Sequence, residues 1–93
     1  MLENVLKVVG AEFGVSRAQL LSATRSSPDV AWARQVAMWL YFQAGAPCNY
    51  SLVGREFNRD RTTVRHAVAK ANRLLSDQDA DRLVTNVRAI TSV

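Results

Sequence analysis

The stretch of this chain richest in chemistry-bearing side chains is Val53-Gly54-Arg55-Glu56-Phe57-Asn58-Arg59-Asp60-Arg61-Thr62-Thr63-Val64-Arg65-His66-Ala67. Short polar groups and guanidinium groups crowd the start of a segment in which Val64, Ala67, Val68, Ala71, Leu74 and Leu75 recur at the spacing of one helix face. Such groups can read base edges. An arginine bridges O6 and N7 of guanine, an aspartate accepts from N4 of cytosine, and a threonine methyl touches the thymine methyl. Backbone amides of the same first turn can hold a phosphate. The cluster equally suits a solvated helix start, and composition alone leaves these two readings level.

Other chemistries find less support. The single histidine, His66, lies within a helical pattern with no serine or cysteine nucleophile at a related position, so no enzyme is expected. There is no Gly-x-x-x-x-Gly-Lys loop and no Gly-x-Gly-x-x-Gly turn to cradle a nucleotide. Cys48 and His66 stand apart, and Asp77, Asp79 and Asp81 lack the remaining ligands of a calcium loop; these three carboxylates suit the positive end of a helix dipole instead. Neither a cofactor nor a metal is expected.

The elements that must position the cluster follow from periodicity and punctuation. Leu2, Val5, Leu6, Val9 and Phe13 define one helix face, stopped by Gly14. Ser16 and Gln19 form a capping box, with Val15 and Leu20 as its hydrophobic staple, and start a short second helix. Thr24 to Pro28 has turn composition and carries one cation, Arg25. Asp29 to Ala44, closed by Gly45 and Pro47, is apolar around most of its circumference and is therefore expected at the centre. Ser51 is expected to cap a short helix, Leu52 to Phe57, and a tight Asn58-Arg59 turn separates it from a helix reaching about Ser76. A last helix starts in the acidic run at Asp77 and buries Leu83, Val87 and Ile90. The expected fold is all-α, a five- or six-helix bundle forming one domain over residues 1–93.

A formal charge of +4 and a pI near 10.0 favour an anionic partner. One cysteine excludes an internal disulfide and fits a reducing compartment. No apolar run approaches the roughly 20 residues a bilayer span needs, and the opening Met-Leu-Glu-Asn does not read as a secretory leader. A cytoplasmic, nucleoid-associated protein with no membrane partner is expected.

The stretch resembles the signature of the C-terminal DNA-binding domain of the bacterial replication initiator DnaA, in which Arg-Asp-His-Thr-Thr-Val and a later His-Ala open the recognition helix. Here the run is Arg59-Asp60-Arg61-Thr62-Thr63-Val64-Arg65-His66-Ala67. The similarity extends through Gly54 and Phe57, Arg34-Gln35 followed by Ala37-Met38, and Leu20-Leu21-Ser22, covering about Val5 to Leu75. It implies a helix-turn-helix bundle of the Trp-repressor-like, DnaA C-terminal type. By position, the resemblance implies a minor-groove contact from Arg25 and base contacts from Asp60, Arg61 and Thr62. It implies phosphate contacts from Arg34, Gln35, Thr63 and His66, and Ser51 can add another at its helix N-terminus. Three departures stand out: Arg61 replaces the family's usual histidine, Arg65 replaces an apolar residue, and the Thr24 to Pro28 loop is less basic.

With the initiator's ATPase domain missing from this sequence, the resemblance implies a bacterial transcriptional regulator, or its DNA-binding domain, acting on double-stranded DNA. RNA polymerase or another regulatory protein is the expected further partner. Two alternatives compete. One is a replication-control protein that competes at initiator boxes. The other is a protein-interaction module using Trp32, Trp39, Tyr41 and Phe42.

Overall fold

The computed structural model describes residues 1–23, 27–45 and 49–91. Six helices follow in order: α1 (Leu2–Phe13), α2 (Arg17–Leu21), α3 (Pro28–Ala44), α4 (Tyr50–Phe57), α5 (Arg61–Leu74) and α6 (Asp77–Thr91). No strand occurs among the described residues.

Local signals set most boundaries. Gly14 takes the left-handed conformation (φ 66°, ψ 38°) that ends α1. At α2 both halves of the capping box form: the Gln19 amide donates to Ser16 Oγ at 3.1 Å, and the Ser16 amide to Gln19 Oε1 at 2.9 Å. Ser27 caps α3 through the Val30 amide, with Pro28 as its first residue.

Two expected boundaries move. α4 begins at Tyr50, and its cap is Asn49, whose Oδ1 accepts from the Leu52 amide at 3.1 Å; Ser51 is an exposed residue within the first turn. The reason is tertiary. Tyr50 stacks on Phe42 of α3, with centroids 4.6 Å apart and planes 9° from parallel, which fixes the start of α4 on its neighbour. α5 stops at Leu74 because Leu75 turns extended (ψ 133°) and Ser76 serves the next helix, accepting from the Asp79 amide at 3.1 Å.

α3 packs against all five other helices, as its nearly all-round apolar character predicts. Val36, Ala37 and Leu40 have no solvent exposure. Around them pack Val5 and Val9 of α1, Leu20 of α2, Val53 and Phe57 of α4, Val64 and Ala71 of α5, and Leu83 and Val87 of α6. The aromatic residues of α3 are part of this construction. Trp39 is buried and donates Nε1–H to Asn72 Oδ1 at 2.7 Å, while Trp32, Tyr41 and Phe42 are half-buried against the core. The interaction-module alternative thereby loses its exposed stripe. Two expected core residues sit outside: Leu74 is 57% and Ile90 38% exposed. Leu74 follows Ala71 by three residues at the helix end, and the inward register passes to the half-buried Leu75.

The α4–α5 turn depends on one glycine. Asn58 is left-handed (φ 54°), its amide donates to Arg55 O, and the Arg59 amide donates to Gly54 O at 2.9 Å, the paired bonds of a Schellman close. A Cβ on Gly54 would lie 2.5 Å from Arg59 O. Helix propensity alone favours Gly54→Ala by about 1 kcal/mol, but the backbone clash outweighs it. We expect Gly54→Ala to lower stability by about 1–3 kcal/mol. A rise in the thermal unfolding midpoint would show that the turn accommodates the methyl.

Candidate nucleic-acid interface

Charge separates the α4–α5 unit from the rest of the molecule. Residues 50–75 hold six of the twelve lysines and arginines but only two of the eight acidic residues, so the whole formal +4 lies there and the remainder is neutral. Elsewhere, Arg17 is paired with Glu3 at 2.8 Å, and Arg82 with both Glu12 and Asp79. Arg55, Arg61, Arg65 and Arg73 are exposed, with no acidic partner among the described residues. α5 itself contains no acidic residue. An uncompensated basic helix that presents its start to solvent is an electrostatic match for a polyanion.

The start of α5 is built by Asp60, its N-cap, whose Oδ1 accepts from the Thr63 amide at 2.7 Å. The Thr63 amide and hydroxyl hold the carboxyl below its usual range, with smaller help from the Thr62 amide and His66. Asp60, expected as a base reader, is thus engaged in capping, and Arg61 and Thr62 stand exposed just beyond it. A depressed folded value makes the cap's contribution complete above the unfolded carboxyl's value of 3.8 and lost as pH falls through the lower folded value. In an NMR titration the Thr63 amide should move with a midpoint below 3.8. Asp60→Asn, which can still accept that bond, should abolish the transition; a wild-type midpoint at or above the ordinary value would contradict the capping assignment.

Between α3 and α5 lies a cleft of about 280 Å³ whose polar lining is Arg34, Gln35, Arg59, Thr63, His66 and Lys70. It brings together four of the five residues expected to hold phosphate; Ser51 stands on α4 outside this cleft. Thr63 and His66 are exposed at its mouth. Gln35 Oε1 is buried with no hydrogen-bond partner among the described residues. Arg25 lies outside the described residues.

Arg34 departs from the expected role. It is only 6% exposed and donates from Nε to Leu20 O at 2.9 Å and from Nη2 to Gln19 O at 2.6 Å, closing the C-terminal end of α2. Burial first, and then the neighbouring Arg59 charge, lower its pKa. A guanidinium committed to two backbone carbonyls is structural at these atoms, a task beyond the phosphate contact that the resemblance implies for Arg34.

Two residues of this surface were not singled out from the sequence. Lys70 stands 5.5 Å from the Trp32 ring centroid in a cation–π contact, and it continues the Thr63–His66 stripe by one turn. That spacing is a usable signal. Arg59 is half-buried and donates from Nη2 to Ser22 O at 2.8 Å and from Nη1 to Phe57 O and Asn58 O at 3.1 and 3.2 Å. Only its place in the turn hinted at this.

The profile described as bacterial DnaA protein helix-turn-helix matches residues 2–71. The chain belongs to this bacterial DnaA helix-turn-helix family. Similar relatives include proteins named chromosomal replication initiator protein DnaA from Rhodopseudomonas palustris (strain BisA53), 43% identical over 82 residues, and from Nitrobacter hamburgensis, 44% identical over 78. Another, from Rhizobium meliloti (strain 1021), is 40% identical over 76 residues. These alignments cover 81–85% of this chain but only 15–16% of each relative. The family match takes in α1 to α4 and most of α5, hence the whole α4–α5 pair up to Ala71. The expectation of a transcriptional regulator is corrected here: the relatives are replication initiators by name, and the initiator-box alternative fits them better.

Proposed function

We propose that this chain binds duplex DNA site-specifically at sites of the initiator-box kind, with α5 entering the major groove by its N-terminal turn. The observation carrying this reading is the location of the entire net positive charge on α4–α5, around an exposed, Asp60-capped helix start. Arg61 and Thr62 read base edges. Thr63, His66, Gln35 and Lys70 line one phosphate path at the cleft, with Ser51 and the first-turn amides of α4 beside a second. Arg25 is assigned the minor-groove contact that the family resemblance implies. Arg34 supports the cleft wall from within. The reading assigns no catalytic chemistry and no cofactor to this chain.

Selection from a random duplex library, followed by competition with DnaA boxes from the relatives' replication origins, tests the proposal. The expected result is an enriched motif related to those boxes. Enrichment of no motif at moderate salt would remove site-specific reading, and enrichment of an unrelated motif would remove the initiator-box assignment.

A further inference from the structure

Among the lysines and arginines of α5, Arg61, Arg65 and Arg73 are exposed, whereas Lys70 is half-buried and lines the α3–α5 cleft one turn beyond His66. A lysine with no partner samples many rotamers, and ordering its stem on an anion costs side-chain entropy. Lys70 has a partner. Its Nζ lies 5.5 Å from the centroid of the Trp32 ring, within the roughly 6 Å over which the face of an indole attracts an ammonium. Trp32 stands outside the cleft lining, and its ring packs half-buried against the core from α3. The ammonium thus has an anchored ring on one side and the cleft on the other. It carries three donors, and no ion pair among the described residues claims them.

Resting on the DNA-binding reading above, we infer that Trp32 is a positioning residue for that interface: its ring holds the Lys70 ammonium at the cleft before DNA arrives, so that Lys70 meets a backbone phosphate already ordered. Lys70 follows Arg61 by nine residues, about two and a half helical turns, which places the two on opposite flanks of α5. Lys70 shares its flank with Thr63 and His66, the other α5 side chains of the phosphate path. A point charge on that flank adds affinity for any duplex and takes no part in the choice of sequence.

The test is fluorescence anisotropy over a series of salt concentrations, on a selected duplex and on a scrambled one. The proteins are wild type, Trp32→Leu, Trp32→Phe, Lys70→Gln and the Trp32→Leu/Lys70→Gln pair, each checked for folding by thermal melting. Lys70→Gln should reduce the slope of log affinity against log salt by about 0.9, the counterion release that belongs to one phosphate. Trp32→Leu should weaken binding to both duplexes about fivefold when Lys70 is present. In the Lys70→Gln background its cost should fall below about 1.5-fold. Trp32→Phe keeps an aromatic face and should stay within about twofold of wild type. An equal cost of Trp32→Leu in both backgrounds would overturn the inference and make Trp32 a packing residue. An unchanged salt slope in Lys70→Gln, or a Trp32→Phe protein as weak as Trp32→Leu, would overturn it as well. A second measurement needs no variant: the Lys70 Hε protons should lie upfield through the Trp32 ring current in the free protein and remain upfield in the complex. Their return to the ordinary lysine position on addition of duplex would overturn the inference even where Trp32→Leu fails to fold. Absence of duplex binding by the wild type at low salt would instead overturn the DNA-binding reading on which it rests.

Discussion

Arg34→Ala is expected to lower unfolding stability by about 3 kcal/mol, which in a domain of this size moves the thermal midpoint down by roughly 15 °C. Three effects combine. The carbonyls of Gln19 and Leu20 lose a charged donor at 2.6 and 2.9 Å. α2 has only five residues, too few to hold itself by helix propagation, so it relies on its caps and on packing. The aliphatic stem of a residue only 6% exposed also leaves a void beside α3. A lysine supplies one donor direction in place of a fork, so Arg34→Lys should fall between wild type and alanine. Thermal melting distinguishes this from the phosphate-contact role that the sequence suggests. A phosphate contact predicts an unchanged midpoint and a salt dependence of DNA affinity reduced by close to one counterion; that pair of results would refute the structural assignment.

Arg34 also shows where sequence reasoning reaches its limit. Its donors meet carbonyls 14 and 15 positions away, and those of Arg59 meet one 37 positions away. Nothing in the local pattern separates an arginine that faces solvent from one that closes another helix. The capping box at Ser16 and Gln19 was legible because all its partners lie within three residues. The central place of α3 was legible because few polar residues interrupt it. The start of α4 was misplaced for the opposite reason: Asn49 and Ser51 are both competent caps, and the Phe42–Tyr50 stack, invisible to local pattern, decides between them. Ser76 likewise fits the end of one helix or the cap of the next, and the Asp79 amide settles it.

The recognition turn falls between these cases, since its residue types were legible and their division of labour was not. Asp60 and Arg61 are adjacent in sequence, yet the first is turned back to cap Thr63 and the second is left exposed without an acidic partner. The capping bond thus leaves Arg61 as the exposed first residue of α5, which under the proposed function is the point that enters a groove first. Within the proposed function, Arg61→Ala should cost about 1–3 kcal/mol of discrimination, or roughly 5- to 150-fold, at a single guanine of the selected site and little at other positions. Arg61→His, which restores the family's usual residue, should change which base is preferred at that step without returning the wild-type guanine preference, because imidazole lacks the fork that bridges O6 and N7. Stability should be nearly untouched, since exposed substitutions away from caps and buried groups generally stay within about 0.5 kcal/mol. Parallel selections with wild type, Arg61→Ala and Arg61→His would check this. A uniform loss over every position would make Arg61 a phosphate contact, and the base-reading role would then rest on Thr62 alone among the described residues.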